Sequence, residues 1–416
     1  MRISQVAPAR RRFSRSTAVA KTYSLPTELW RIIIRLAAHF PMEFDFTSDD
    51  EWENTIIADY KNTMPTKLVL LRVCRLFNEI VNEFFFDVLY ISSTDSALRF
   101  TKSVIYGQYD DETWRKALAK FVPGQSSRTV TTPRTATIRY FYIRAEWYSN
   151  GADFAYTIAN ILKADCCRNL EGFFNSNVPI SYEPQNAYGM QNMIDAIPSG
   201  IRSISWIAGI NVGELSALLH RVSKSLKAMR ICPDRFQRIW DPRGPLAITF
   251  PVLTQYALTG GMTSSSSEVI GGWKMPSLTH LIIGKSVLPT AQQITHITGA
   301  AQNTQRLSIH LRSLHNSRVR RDSDSDSRLF RANLKSMSVT CHRWTYSFDS
   351  ICSLLRDYVE GVHRPAFPEL EVVEVFGVGT CMALAWRSKS VDDIQALFRK
   401  TSDELSVPGI PVRIMS

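Results

Sequence analysis

A repeat of apolar residues restricts the fold of this 416-residue chain more than any other feature. Each copy has apolar residues at positions one, four and six, and positions four and six lie on the same face of a β-strand. The clear copies are Ile138-Phe141-Ile143, Ile201-Ile204-Trp206, Leu226-Met229-Ile231, Leu253-Tyr256-Leu258, Leu278-Leu281-Ile283, Leu334-Met337-Val339 and Leu370-Val373-Val375. Two weaker copies, Leu170-Phe173-Asn175 and Thr304-Leu307-Ile309, bring the predicted strands to nine.

Apolar residues at helical spacing lie between several of the predicted strands. The four stripes are Phe154-Ile158-Ile161-Leu162, Val212-Leu215-Leu218-Leu219-Val222, Phe348-Ile351-Cys352-Leu355-Tyr358-Val359 and Val391-Ile394-Leu397-Phe398. Successive copies end 25 to 36 residues apart. A strand and a helix at such steps resemble a leucine-rich-repeat solenoid, in which each unit buries its apolar face by stacking on its neighbours.

The resemblance to leucine-rich repeats is an irregular one. The asparagine that usually follows the strand is missing from most copies, and Pro233, Gly260, Lys285 and Leu311 stand near its place. The chain is therefore predicted to be α/β, with a small N-terminal helical unit followed by an irregular leucine-rich-repeat-like solenoid of alternating strands and helices. The alternative is a generic α/β domain whose alternating strands imitate a repeat. Two predicted loops, 260–272 and 312–331, interrupt the repeats.

Two apolar helices are predicted ahead of the repeats. The first begins at Pro26, whose fixed φ suits a first helical turn, and Glu28 complements the positive end of the helix dipole. Its apolar face is formed by Leu25, Leu29, Ile32, Ile33, Leu36 and Ala37. The second helix is predicted from Thr66 to Phe86, with Leu70, Val73, Cys74, Phe77, Val81 and Phe84 in one stripe and Val69, Leu76 and Ile80 in another. A helix that is apolar on two sides is covered on both, either by this chain alone or also by a partner chain.

An acidic stretch separates the two predicted helices. Residues 43–65 contain seven carboxylates and end at Pro65. We predict a surface insertion there, with one short helix at 52–58.

Three segments of this region resemble an F-box, namely Leu25-Pro26-Thr27-Glu28-Leu29, Val73-Cys74-Arg75-Leu76-Phe77 and Val88-Leu89-Tyr90-Ile91. The chain is similar here to the F-box proteins abundant in mushroom-forming fungi. In that family the motif is a small helical unit that docks on the adaptor subunit of cullin-type (SCF) ubiquitin ligases. Phe77 stands where the family more often has Trp, and the acidic insertion lengthens the motif. The resemblance implies adaptor contact for Leu25, Pro26, Leu29, Ile33, Val73, Cys74 and Phe77.

The predicted domain organisation follows from these patterns. It comprises a disordered basic tail at 1–22, an F-box-like domain at 23–92 with its acidic insertion at 43–65, and a leucine-rich-repeat-like domain at 93–416. A targeting signal is the alternative interpretation of the tail, which contains Arg10-Arg11-Arg12 and no acidic residue.

Composition limits the compartment and the partners. Seven cysteines without a CxxC pair, and no Asn-x-Ser/Thr sequon, favour free thiols in the cytoplasm or nucleus. No apolar run approaches the roughly 20 residues that cross a bilayer, so no membrane partner is expected. A net charge of +11 permits nucleic acid, acidic proteins or anionic lipid as partners.

The sequence contains no recognisable catalytic constellation. It has no HExxH motif, no Cys/His zinc spacing, no Walker loop and no Gly-x-Ser-x-Gly elbow, and Gly377-Val378-Gly379 lacks the third glycine of a dinucleotide fingerprint. We therefore predict a protein that is not an enzyme and that has no metal and no cofactor.

Positions two, three and five of each copy are expected to point away from the core and to form the ligand-binding face. Across the nine copies they carry six basic and three acidic charges, which favours an acidic or phosphorylated protein target. The alternative is a solvated face without a bound anion. The target-binding candidates are Arg139, Tyr140, Tyr142, Arg202, Lys227, Arg230, His280, Arg306 and Lys335.

These expectations combine into one leading hypothesis. The protein is expected to be a substrate-receptor subunit of an SCF ligase, with the F-box-like unit on the adaptor and the repeats on an unknown target protein. A protein-interaction scaffold outside the ligase is the alternative. A nucleic-acid-binding protein is disfavoured, because no known binding motif is present and the aromatic residues fall mainly at core spacing.

Overall fold

A computed structural model of the chain describes residues 25–38, 50–85, 87–105, 137–144, 151–176, 187–232, 236–237, 247–259, 270, 272–285, 303–311, 334–341, 369–376, 391–405 and 411–414. The helices are α1 (Thr27–Ala37), α2 (Asp50–Leu70), α3 (Arg75–Asn82), α4 (Thr94–Phe100), α5 (Gly151–Lys163), α6 (Ala187–Ala196), α7 (Val212–Val222) and α8 (Val391–Leu405). The strands are β1 (Val88–Ile91), β2 (Tyr140–Ile143), β3 (Gly172–Asn175), β4 (Ser203–Trp206), β5 (Ile210–Asn211), β6 (Ala228–Ile231), β7 (Phe236–Gln237), β8 (Gln255–Thr259), β9 (His280–Lys285), β10 (Arg306–Leu311), β11 (Ser336–Cys341), β12 (Val372–Phe376) and β13 (Val412–Ile414).

Eleven of these strands form one sheet, so the chain has an α/β fold. Their order in the sheet is their order in the sequence, and the described strands of this sheet pair in parallel. β5 and β7 pair separately with each other. A parallel strand cannot follow its neighbour through a tight turn, because the chain must return to the same end of the sheet first. The helices between strands occupy part of that return.

All nine predicted copies contain strands, and equivalent positions of successive copies pair with each other. Phe141 pairs with Phe173, Phe173 with Ile204 and Ile204 with Met229, and this alignment of position four continues to Val373. Position six aligns in the same way. The 27 residues at positions one, four and six are each at most 4% exposed. The repeat was therefore a correct guide to which strand face enters the core.

Two further strands extend the sheet beyond the predicted copies. β1 pairs with β2 through Leu89 opposite Phe141, and β13 pairs with β12 through Val412 opposite Val373. Val88–Ile91 was predicted to belong to the F-box-like unit. In the structure this run is the first strand of the sheet and joins the helical unit to it.

The helices that pack on the sheet core were predicted in part. The stripes of α5 and α7 are buried as predicted, except that Val212 is half-buried. α8 occupies the fourth stripe as a helix. α6 was missed, although its Met190, Met193 and Ile194 are buried. The third stripe, the loop 312–331, the tail 1–22 and most of the loop 260–272 lie outside the described residues.

The predicted boundaries of the second N-terminal helix were wrong. Residues 50–70 form the single helix α2, which continues through Pro65, and the chain then turns at 71–74 before α3. The short helix at 52–58 and the start of the helix at 66–86 are thus one element. Pro65 lacks an amide donor and normally interrupts a helix, but Met64 and Leu68 pack in the core of the helical unit on either side of it. Tertiary packing therefore overrides the local signal.

The three N-terminal helices have a small core of their own. Its buried residues are Ile34, Ala38, Leu68, Ile80, Val81, Phe84 and Phe85, and Trp30, Met64, Leu70, Leu71, Leu76 and Phe77 are partly buried against them. At 21 residues α2 is the longest described helix. None of the described helices combines the length and apolar character needed to cross a bilayer.

Candidate docking surfaces

The predicted apolar face of α1 is exposed. Its large residues are open to solvent over much of their surface, with Leu25 at 42%, Leu29 at 44%, Ile32 at 55%, Ile33 at 44% and Leu36 at 72%. We call these five residues the α1 face. The helix begins at Thr27, immediately after Pro26, and the Pro26 carbonyl accepts hydrogen bonds from the amides of Leu29 and Trp30.

The opposite side of α1 is the buried one. Ile34 is 1% exposed, and the Trp30 ring lies 4.9 Å from the Phe77 ring, centroid to centroid. On α1, Arg31 also forms an ion pair with Glu83 at 3.0 Å. These contacts with α3 and the turn that follows it fix the rotation of α1, so the α1 face points away from the core of the helical unit.

A second exposed apolar patch lies at the turn between α2 and α3. Val69 is 61% exposed, Val73 is 56% exposed and Cys74 is an exposed free thiol. The turn is closed by hydrogen bonds from the amide of Arg72 to the Val69 carbonyl and from the Asn78 side chain to the Leu71 carbonyl. We call Val69, Val73 and Cys74 the turn patch.

The residues assigned to adaptor contact by resemblance fall largely on these two patches. Leu25, Pro26, Leu29, Ile33, Val73 and Cys74 are exposed, whereas Phe77 is half-buried against Trp30. Burying one Leu or Ile side chain stabilises a complex or a fold by about 1.5–3 kcal/mol. Apolar residues left together at a surface mark an interaction site more often than isolated ones do.

A buried lysine connects the helical unit to the sheet. Lys67 is 2% exposed, and its Nζ donates to the carbonyls of Phe84 and Phe85 at 3.4 and 3.5 Å. Burial lowers the pKa of Lys67, and the charge of Asp87 opposes that shift. Asp87 immediately precedes β1, and its carbonyl accepts hydrogen bonds from the amides that open β2. The last turn after α3 and the first two strands therefore form one bonded junction.

A row of aromatic rings runs from α2 onto the sheet. Tyr60 of α2 lies 6.1 Å from Tyr90, Tyr90 stacks on Tyr142 at 5.5 Å, and Tyr142 stacks on Phe174 at 6.2 Å, measured between ring centroids. Burial raises the pKa of Tyr60 to about 12. The strand rings of this stack are paired with one another in the sheet, and Tyr142 and Phe174 stand at position five of their copies. The stack therefore covers part of the second face of the first three strands and ties α2 to it.

Several target-binding candidates are buried on this second face of the sheet. Tyr140, Tyr142 and Arg230 are 9%, 1% and 2% exposed, so the expectation of an exposed face is wrong for them. They lie at positions three and five, where Val88, Tyr140, Tyr142, Phe174, Ala228, Ala257 and Ile282 form a second apolar cluster. Alternation alone predicts a polar second face, and it fails here because these strands are buried on both faces.

The remaining candidates differ in their surroundings. Arg139 forms an ion pair with Glu171 at 2.9 Å, and His280 shares a 2.8 Å hydrogen bond between its Nε2 and the Ser308 hydroxyl. The exposed candidates are Arg202, Lys227, Arg306 and Lys335. The role of Tyr60 was missed by the sequence analysis, because a tyrosine inside an acidic stretch gave no periodic signal.

Comparison with known proteins finds no family model and no curated protein that matches this chain. Within the described part of the chain, no group of three His, Cys, Asp or Glu side chains is placed to hold a metal ion.

Proposed function

We propose that this protein is a non-catalytic substrate-receptor subunit of a cullin-type ubiquitin ligase. The three N-terminal helices would be its F-box and would dock on the ligase adaptor. The sheet and its helices would be an irregular leucine-rich-repeat solenoid that binds a target protein. The exposed α1 face is the observation that carries this proposal.

The α1 face supports docking because the chain leaves it uncovered. Ile33 and Ile34 are neighbours of the same residue type, yet Ile33 is 44% exposed and Ile34 only 1%. The chain leaves much of this apolar face in contact with water, so a partner that covers it would gain the hydrophobic contribution of the surface that is still exposed. Leu25, Leu29 and Ile33 on this face are also residues to which the F-box resemblance assigns adaptor contact.

The strand arrangement supports a repeat solenoid. Each strand of the large sheet bonds only to its neighbours in sequence order, and equivalent positions align from copy to copy. In a stack of repeats each unit contacts only adjacent units and buries its apolar face against them. Such an architecture offers an extended surface for a protein target.

The junction between the helical unit and the sheet would hold the bound target at a fixed distance from the adaptor. A ligase receptor acts by proximity, holding a target lysine near the charged ubiquitin carrier. The Tyr60–Tyr90 contact and the charge interaction between Lys67 and Asp87 join the proposed docking unit to the proposed target-binding sheet. A fixed connection would keep the distance between adaptor and target constant.

Co-purification with the SCF adaptor subunit tests the proposal. Wild type is expected to form a stoichiometric complex, and Leu29→Glu/Ile33→Glu is expected to abolish it. The matched control is Leu98→Glu/Val252→Glu, which replaces exposed apolar residues of 41% and 38% exposure elsewhere. Failure of wild type to bind, or loss of binding in the control as well, would contradict the proposal.

A scaffold outside the ligase is the second candidate, and the acidic first half of α2 favours it. Those residues belong to the same helix as the buried Lys67 and Leu68. Neutralising Asp50, Glu51 and Glu53 to amides tests obstruction without removing Tyr60 or Met64. If neither this variant nor wild type binds the adaptor, the receptor function is refuted and the scaffold remains.

A further inference from the structure

A continuous row of residues crosses the sheet where the strands begin. Position two of each copy immediately precedes its strand, and its carbonyl accepts hydrogen bonds from the next copy. Lys227, for example, accepts from the amides of Thr254 and Gln255 at 2.9 and 3.1 Å. We call this feature the strand-start row, and its members are Arg139, Glu171, Arg202, Lys227, Thr254, Thr279, Gln305, Lys335 and Glu371.

The charges along the strand-start row are segregated. At one end Glu171 is paired with Arg139 at 2.9 Å, and at the other end stands Glu371. Between these two acids, positions two and three of six consecutive strands contain no carboxylate. They contain four exposed cations, and no ion pair joins these to another described residue: Arg202, Lys227, Arg306 and Lys335.

The four cations form two pairs with a defined separation. Arg202 and Lys227 precede the adjacent strands β4 and β6, and Arg306 and Lys335 stand at the adjacent strands β10 and β11. Four strand steps separate the centres of the two pairs, which is about 19 Å at the usual spacing of parallel strands. An extended peptide covers that distance with roughly six residues. The uncharged positions between the pairs include Thr254 and Thr279.

We propose that the strand-start row from Arg202 to Lys335 binds an extended acidic peptide segment of a partner protein, with acidic groups near both of its ends. This inference rests on the proposed function only for the identity of the partner protein, which would be the target of the ligase. The binding surface is therefore the end of the sheet at which the strands begin. Arg202, Lys227 and Lys335 belong to the row, and Arg306 stands beside it at position three, the first residue of β10.

The surroundings of the row favour a peptide over a single-stranded nucleic acid. Nucleic-acid grooves of this kind combine cations with exposed aromatic side chains on which bases stack. From Arg202 to Ser336, positions two and three contain no Phe, Tyr or Trp, and the ring of His280 is hydrogen-bonded to Ser308. Tyr142 and Phe174 are stacked on each other in the buried cluster at the beginning of the sheet.

Fluorescence anisotropy with the full-length chain tests this inference. The main probe is a labelled eight-residue peptide with two Asp at each end and Ser and Gly between them. A half probe keeps one Asp pair, a neutral probe has Asn for Asp, and a single-stranded oligonucleotide is the fourth probe. Wild type is expected to bind the main probe more tightly than the half probe and to lose affinity as salt is added.

Two charge reversals locate the site. Lys227→Glu/Lys335→Glu is expected to weaken binding of the main probe about tenfold, since each exposed ion pair contributes up to about 1 kcal/mol. The matched control is Arg99→Glu/Arg399→Glu, which makes the same change in net charge on exposed residues of α4 and α8.

Equal weakening in both variants, equal affinity for the main and half probes, or preference for the oligonucleotide would overturn the inference. Adaptor co-purification of the row variant separates the two proposals. If the row variant binds the adaptor but no longer binds the peptide, both proposals are supported. If wild type binds the peptide but not the adaptor, the peptide site is supported and the proposed function is refuted.

Discussion

The indole ring of Trp30 packs against the ring of Phe77, with ring centroids 4.9 Å apart and ring planes inclined by 55°. This contact joins α1 to α3 and, together with buried Ile34, decides which side of α1 faces the core. The exposure of the α1 face is therefore a consequence of where Trp30 packs.

We expect Trp30→Ala to lower the free energy of unfolding of the helical unit by about 2–4 kcal/mol, since a large, partly buried ring is lost. Urea denaturation monitored by far-ultraviolet circular dichroism measures the change, because that signal reports the backbone rather than the replaced tryptophan. A double-mutant cycle with Phe77→Ala should give a coupling of about 0.5–1.5 kcal/mol. Additive effects of the two substitutions would show that the rings do not stabilise each other.

The same substitution should change the free energy of unfolding much more at Ile34 than at Ile33. Ile34→Ala removes a 1% exposed side chain from the core and is expected to cost about 2–5 kcal/mol. Ile33→Ala alters a 44% exposed side chain and is expected to stay within about 0.5 kcal/mol of wild type. Denaturation of the isolated full-length protein makes the comparison. Similar costs at both positions would mean that the α1 face is covered within the chain.

Gly172→Ala is expected to destabilise the sheet by about 1–3 kcal/mol, because a Cβ there overpacks a filled space. That atom would lie 2.8 Å from Phe174 and 2.9 Å from Tyr140, so both rings would have to move. Gly200→Ala is the matched control, since a Cβ at Gly200 meets nothing within 4 Å. Thermal unfolding of the two variants should separate them, and equal midpoints would count against the tight aromatic cluster.

Asp87→Asn should make the protein relatively more stable as the pH rises. Burial raises the pKa of Asp87 above 3.8, although the charges of Arg139, Lys67 and Arg35 oppose the shift, and Glu171 adds to it. A raised folded-state pKa gives a stabilising contribution that is complete below 3.8 and is lost as the pH rises through the folded pKa. Asparagine does not titrate, so the variant avoids that loss.

Urea titrations of wild type and Asp87→Asn from acidic to neutral pH provide the measurement. The same substitution at exposed Asp403 on α8 supplies the background. If Asp87→Asn instead becomes less stable relative to wild type as the pH rises, attraction by the neighbouring cations dominates burial.

The strands could be predicted in detail and the N-terminal helices only in outline. Nine copies shared one spacing, and the pairing of Phe141 with Phe173 and of Leu307 with Met337 follows that spacing. The extent of α2 could not be predicted in this way. Pro65 carries a strong local signal for a break, and only the packing of Met64 and Leu68 around it keeps the helix continuous.

The candidate surfaces could likewise be predicted only in part from the sequence. The F-box resemblance assigned partner contact to Leu29 and Ile33, and the strand spacing placed Lys227 away from the core; the structure leaves all three exposed. The burial of Tyr142 could not be predicted, because it depends on rings that α2, β1 and β3 bring together from distant parts of the chain.

The α/β class, the nine repeat strands and the strand face that enters the core follow from the amino-acid pattern alone, because the buried positions recur at a fixed spacing. Tertiary packing placed Ile34 rather than Ile33 in the core, since both residues are equally apolar and the outcome depends on how Trp30 meets Phe77. It also decided which basic residues remain at the surface. Burial of a particular side chain is a property of its neighbours in space, and those neighbours are set by long-range packing.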